Sequence, residues 1–278
     1  MRQDERAPFV QALERAREAA FPPGEYVGQE SFVTASEIRV LADRAGIRPG
    51  VSVLDVCCGV AGPGRLLARE RGCTYLGLDS SASAVEVARE RASGLECRFE
   101  VAEVPPLPAG TFDVVHLLET MLAFRDKAEL LAAISGALAP GGRFAFTLEE
   151  GEPLTEAERA VMPDADTVWL TPLAEMRALL ERAGMAVHWL EDWSEAHRAV
   201  ADSLIAAFTA DESAISATIG RRALDELLVA HRLWSNWLAS GRVRKLAVVA
   251  EKASNTPWPV ARWVRERERR DSNPRPPA

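Results

Sequence analysis

A carboxylate at the end of an apolar run, set against a turn of small residues, is the arrangement in this chain best suited to hold a ligand. Val51-Ser52-Val53-Leu54-Asp55-Val56 leads into Cys57-Cys58-Gly59-Val60-Ala61-Gly62, and Arg65-Leu66-Leu67-Ala68-Arg69 then opens a helical pattern. A strand, a tight turn and a helix N-terminus in that order make a cradle whose backbone can touch a ligand. A second acid, Asp79, ends the next apolar run, Tyr75-Leu76-Gly77-Leu78, 24 positions after Asp55. That distance suits a carboxylate that accepts from the hydroxyls of a nucleoside ribose.

Two ligand classes use such a turn. Dinucleotides call for G-x-G-x-x-G, whose glycines let the backbone approach a pyrophosphate. The corresponding frame here is Cys57, Gly59 and Gly62, so the first glycine is missing. Asp55 would also repel a pyrophosphate. S-adenosylmethionine (SAM) carries an ammonium, a sulfonium and a ribose without phosphate, and it suits the two acids better. An NAD(P)-dependent oxidoreductase stands as the alternative, and so does a protein that binds SAM without transferring its methyl group.

The stretch Val53-Leu54-Asp55-Val56-Cys57-Cys58-Gly59-Val60-Ala61-Gly62-Pro63 resembles motif I of the class I SAM-dependent methyltransferases, acid-x-G-x-G-x-G. Asp55 and Gly59 match it. Cys57 and Ala61 replace the outer glycines, and neither has glycine's freedom at positive φ. Asp79-Ser80 resembles motif II, which binds the ribose. Glu100 to Asp113 resembles the adenine loop, with Val101 where many relatives have Asp, and Ala102 or Glu103 left to make that contact. Phe112 to Thr120 resembles the motif closing strand four, which brings Leu118 and Glu119 to the cofactor edge. Several relatives have a His four residues after that Glu, where this chain has Ala123. The resemblance implies binding of SAM by Tyr26, Asp55, Cys57, Gly59, Ala61, Asp79, Ser80, Ala102, Glu103, Leu118 and Glu119. Asp55 would orient the methionine ammonium. Glu119 also reads as an ordinary helix N-terminal acid.

Methyl transfer from a sulfonium is an in-line displacement, so the protein mainly aligns groups and excludes water. A base is needed when the acceptor is a hydroxyl, a protonated amine or a weakly acidic carbon. His197 and His231 are the candidates in the helical region. His197 shares a face with Ala201, Leu204 and Phe208, and His231 one with Leu224, Leu228, Trp234 and Leu238, so core packing competes with catalysis at both. Tyr26 is either a residue over the cofactor, near the methyl group, or an aromatic plug for its loop. Trp189, Trp193, Trp234 and Trp237 line an acceptor pocket or pack a lid. His116 and His188 read as structural.

The elements that must position these residues follow from periodicity. Strands are expected over 51–57, 74–79, 97–102, 112–118, 142–149, 185–191 and 243–250, and helices over 7–20, 36–45, 63–71, 81–92, 126–138 and 172–183. The strands are apolar on both faces, as in a parallel sheet covered by helices on each side. The expected fold is therefore α/β: a doubly wound, mostly parallel seven-stranded sheet of the Rossmann-like methyltransferase type. Residues 194–240 read as a helical cap between the sixth and seventh strands. The division is 1–45 N-terminal helices and lid loop, 46–193 core, 194–240 cap, 241–254 last strand, and 255–278 a disordered tail. Such a cap resembles the small-molecule branch of the family, which includes glycine-betaine-forming N-methyltransferases and natural-product O-methyltransferases.

The chain has 278 residues, 47% of them hydrophobic, enough for a sizeable core. A net charge of −8 argues against nucleic acid as a partner. Four cysteines without CxxC or a neighbouring His give no metal pattern and suit a reducing compartment. No segment reads as a signal peptide or membrane span. The expectation is a cytoplasmic enzyme acting on a small molecule, with no metal and no membrane partner; the oligomeric state is left open.

Overall fold

The computed structural model describes residues 11–108 and 111–254. The expected start of the first helix (Pro8, Phe9), Ala109-Gly110 and the 255–278 tail lie outside them. Seven strands form one sheet: β1 (Ser52–Val56), β2 (Thr74–Asp79), β3 (Cys97–Val101), β4 (Phe112–Leu117), β5 (Leu138–Glu150), β6 (Met185–Asp192) and β7 (Arg244–Lys252). Their order is β3-β2-β1-β4-β5-β7-β6. Pairings from β3 through β5 are parallel, and β7 runs antiparallel to both β5 and β6. The last strand therefore wedges between two earlier ones, and β6 takes the edge.

Alternation along the strands sorts the two faces. One face, with Val53, Tyr75, Phe99, Val114, Ala145, Ala247 and Val249, is covered by α2 (Ala35–Ala45), α3 (Gly62–Arg71) and α4 (Ala82–Arg91). The other, with Leu54, Val115, Leu117, Phe144, Phe146 and Val248, is covered by α5 (Lys127–Ala137) and α7 (Leu173–Arg182). α2 begins on a capping box, in which Thr34 and Glu37 exchange side-chain and backbone hydrogen bonds, and ends on Gly46 in the left-handed conformation.

The cap consists of α8 (Ser194–Ala210), α9 (Glu212–Ile219) and α10 (Arg221–Ser240). It does not pack alone. α1 (Gln11–Ala20) contributes Ala12, Leu13, Ala16 and Ala20 to the cluster with Val200, Leu204, Phe208 and Leu224. The two N-terminal helices thus part company: α1 joins the cap and α2 the core. Sequence periodicity describes each helix but not its partner. The short α6 (Glu156–Val161), unforeseen in the sequence reading, lies beside a further cluster in which Leu154, Met162, Val168 and Leu170 pack against Trp237 at the end of α10. Among the described residues no helix is long and apolar enough to cross a membrane.

Candidate active site

The turn after β1 is built on left-handed backbone. Cys57 has φ 62°, Gly59 53° and Ala61 58°. The expected loss of positive φ at Cys57 and Ala61 does not occur; both hold the glycine conformation in spite of their Cβ atoms. Such residues cost roughly 1–2 kcal/mol each and persist where the surroundings fix them. Here Ala61 N–H donates to Cys58 O, and Cys58 N–H to Leu78 O at the end of β2. Gly62 abuts the N-terminal segment: a Cβ there would lie 2.7 Å from Val27 O and 2.9 Å from Gln29 N. Gly59 differs, because a Cβ there would meet nothing within 4 Å. The open side of the turn is at Gly59.

Asp79 fixes the rim of that opening. Its Oδ2 accepts from Gly59 N–H at 2.8 Å and its Oδ1 from Ser81 N–H at 2.9 Å. Each oxygen keeps a lone pair for a hydroxyl donor. Ser81, the N-cap of α4, makes the contact; Ser80 is exposed beside it. Ala102 N–H donates to Asp79 O, which brings the start of the loop after β3 against the rim. Glu103 is exposed.

Asp55 lies deeper. It is buried, Tyr75 donates its hydroxyl to Oδ2, and His116, its cross-strand partner on β4, places Nδ1 3.9 Å from Oδ1. Burial pushes the Asp55 carboxyl up to about 7, with Asp79 adding to the rise and the Tyr75 hydroxyl opposing it. Burial drives His116 down to about 4. The geometry makes Asp55 a carboxylate beneath the turn rather than at its open side. Burial also raises the Cys57 thiol, to about 12, and the Cys58 thiol, so neither is a nucleophile.

Beyond β4 the chain turns sharply at Glu119, again left-handed with φ 57°. Its N–H donates to Thr147 Oγ1 on β5 at 2.6 Å. Leu118 is buried in the core. Glu119 Oε2 and Glu149 Oε1 each accept from Lys245 Nζ at 2.6 Å. Glu149 and Lys245 face one another across β5 and β7. Burial alone would lift the Glu119 carboxyl, but Lys245, His197 and hydrogen bonds outweigh it and hold it below its ordinary value. Burial likewise works against the Lys245 ammonium, and the two carboxylates more than restore it.

His197 reaches this group from α8. It is fully buried, with Nε2 3.2 Å from Glu37 Oε2 and Nδ1 3.9 Å from Glu119 Oε1. Trp193 and Phe32 pack around its ring. Tyr26 sits elsewhere, its ring 5.6 Å from Phe21 and its buried hydroxyl without a partner; burial raises that hydroxyl to about 12. His231 donates from Nδ1 to Leu227 O between the rings of Phe32 and Phe208, which makes it a packing residue. The four tryptophans form two edge-to-face pairs, Trp189 with Trp193 at 6.4 Å and Trp234 with Trp237 at 5.3 Å; Trp193 and Trp234 flank the Lys245–His197 group, Arg44 lies over the Trp189 ring, and Trp237 joins the cluster beside α6. Glu37, Glu149 and Lys245 escaped the sequence reading. The signal for the last two was an opposite-sign pair on the inward register of apolar strands; Glu37 was hidden by its capping role. A cavity of about 380 Å³, lined by Arg48, Asp113 and Arg143 among others, opens at the amino ends of the strands, away from all of this.

Sheet order, cradle and cap define a Rossmann-like methyltransferase fold. Residues 53–142 match the family model described as a methyltransferase domain, so the chain carries that domain. It is 33% identical to methyltransferase GfsG of Streptomyces halstedii over 60% of this chain and 64% of that one. The cyclopropane synthase MmaA2 of Mycobacterium tuberculosis superposes with a TM-score of 0.76 at 12% identity, over 88% of this chain and 95% of that one. Haemonchus contortus phosphoethanolamine N-methyltransferase 2, solved with S-adenosylhomocysteine and phosphomonomethylethanolamine, gives 0.70 at 20% identity, over 86% of this chain and 57% of that one. The match thus spans less than two thirds of the length of GfsG and of the nematode enzyme.

Proposed function

We propose that this chain transfers a methyl group from SAM to a small organic acceptor by in-line displacement. The observation that carries the reading is the left-handed turn at Cys57, Gly59 and Ala61, open at Gly59 and rimmed by Asp79, within a methyltransferase domain. The residues present fit that cofactor. The two Asp79 oxygens suit the ribose hydroxyls, Ala102 and Glu103 flank the adenine loop, and the Asp79 carboxylate at the rim disfavours a pyrophosphate. When bound, SAM supplies an activated methyl carbon. The protein's own part is alignment, exclusion of water by the α1–α8–α10 cap, and custody of a proton near Glu119 and His197. A cytoplasmic location suits four cysteines that stay free.

Calorimetry with SAM and with S-adenosylhomocysteine tests the reading. Binding of both in the micromolar range, followed by transfer of isotope-labelled methyl, is the expected result. Binding of NADH with no response to SAM would reject it.

A further inference from the structure

Five ionisable side chains from separate parts of the fold meet just beyond the end of β4: Glu37 on α2, Glu119 after β4, Glu149 on β5, His197 on α8 and Lys245 on β7. Their hydrogen bonds can be assigned one by one. Glu37 Oε2 already accepts from the N–H of Thr34 at 2.8 Å and from its hydroxyl at 3.1 Å. A carboxylate in that role only accepts, so the proton of its 3.2 Å contact with His197 sits on Nε2. In the neutral ring the other nitrogen, Nδ1, is a bare lone pair, and it is buried without a partner. Oε1 of Glu119, 3.9 Å away, is also buried without a partner. Lys245 does not relieve it, because Nζ is directed at Oε2 of Glu119 and Oε1 of Glu149. Two acceptors thus face each other with no donor between them, an arrangement that costs free energy until one arrives. Glu119 is also held in a left-handed backbone state, a feature that concentrates at working sites.

Resting on the methyl-transfer reading above, we infer that the acceptor is a neutral hydroxyl compound whose O–H enters between His197 Nδ1 and Glu119 Oε1, with Glu37 positioning His197 to take its proton. An oxygen lone pair forms the new C–O bond, the S–CH₃ bond breaks with its electron pair passing to sulfur, and the hydroxyl proton moves to Nδ1. Charge is conserved within the site: the positive charge lost from sulfur reappears on an imidazolium flanked by Glu37 and Glu119. A neutral amine is nucleophilic without such a base, so a buried carboxylate–imidazole pair would be superfluous for it.

The test uses the whole chain. Nitrogen-15 NMR of the protein saturated with S-adenosylhomocysteine, with the His197 signal assigned by its loss in His197→Gln, reads the tautomer directly. The proton is expected on Nε2, and a proton on Nδ1 overturns the assignment. Glu37→Gln keeps the capping box, since Gln serves at that position. Its amide can present either end to Nε2, so a mixed tautomer is expected. Labelled SAM is then offered with alcohols and amines matched in skeleton. Label on alcohols is expected, falling about tenfold in Glu37→Gln and about a hundredfold in His197→Gln, with the affinity for S-adenosylhomocysteine unchanged in both. Label on amines alone, or on no alcohol, overturns the inference while SAM binding leaves the cofactor reading intact. Failure to bind SAM removes both.

Discussion

The buried pair Asp55–His116 offers a decisive test of the physics beneath the turn. Burial places Asp55 at about 7 against an ordinary 3.8, and His116 at about 4 against an ordinary 6.5. For Asp55 the folded value is raised, so its contribution to stability is complete below about pH 4 and is lost as pH rises through about 7. For His116 the folded value is depressed, so its contribution is present above about 6.5 and is lost as pH falls through about 4. At about 1.4 kcal/mol for each tenfold change, these amount to on the order of 4 and 3 kcal/mol with opposite signs. Between pH 4.5 and 6.5 the folded pair is neutral and the unfolded pair is ionised, yet both hold one proton. The wild-type pair therefore adds little slope there. Asp55→Asn keeps an oxygen for the Tyr75 hydroxyl and removes one arm of the cancellation. Urea unfolding followed by tryptophan fluorescence at several pH values should show the variant near wild-type stability at pH 4.5. At pH 7.5 it should be more stable than wild type by on the order of 2–4 kcal/mol. A difference that stays constant across this range would show that Asp55 is ionised in the folded protein and would refute the argument.

Asp79→Ala should weaken SAM binding by about 1–3 kcal/mol through lost charged hydrogen bonds, and unchanged affinity in calorimetry would remove Asp79 from the site. Ala61→Gly relieves a left-handed alanine and should stabilise the fold by about 0.5–1 kcal/mol in urea unfolding, after the entropy that glycine adds to the unfolded chain; a loss of stability would mean that Ala61 is unstrained. Lys245→Met leaves Glu119 and Glu149 facing each other without their shared cation and should cost about 3–5 kcal/mol. A thermal shift indistinguishable from zero would contradict the ion-pair geometry.

The sheet, its flanking helices and the place of the cap were legible because period-2 and period-3.6 patterns are local. Asp55, Gly59 and Asp79 were legible because a strand–turn–helix unit carries them within a short span. What escaped was non-local. Nothing along the chain says that α1 belongs to the cap, that β7 lies inside β6, or that Glu37 meets His197 from 160 positions away. Asp55 itself shows the limit of a motif: the sequence places a carboxylate at the turn, but only the packing of Tyr75 and His116 puts it underneath. Cys57 and Ala61 show the reverse, since the fold imposes a backbone state that their residue types disfavour.

The wedging of β7 between β5 and β6 has a consequence for biosynthesis. The edge strand β6 stays separated from β5, with Glu119 and Glu149 lacking their counter-ion, until the ribosome has made and released the segment that carries Lys245. The cradle around Gly59 can form early from neighbouring pieces of chain. Competence for chemistry should therefore emerge late and all at once, and nascent chains that stop short of Arg244 would hold the first half of the machinery without the second.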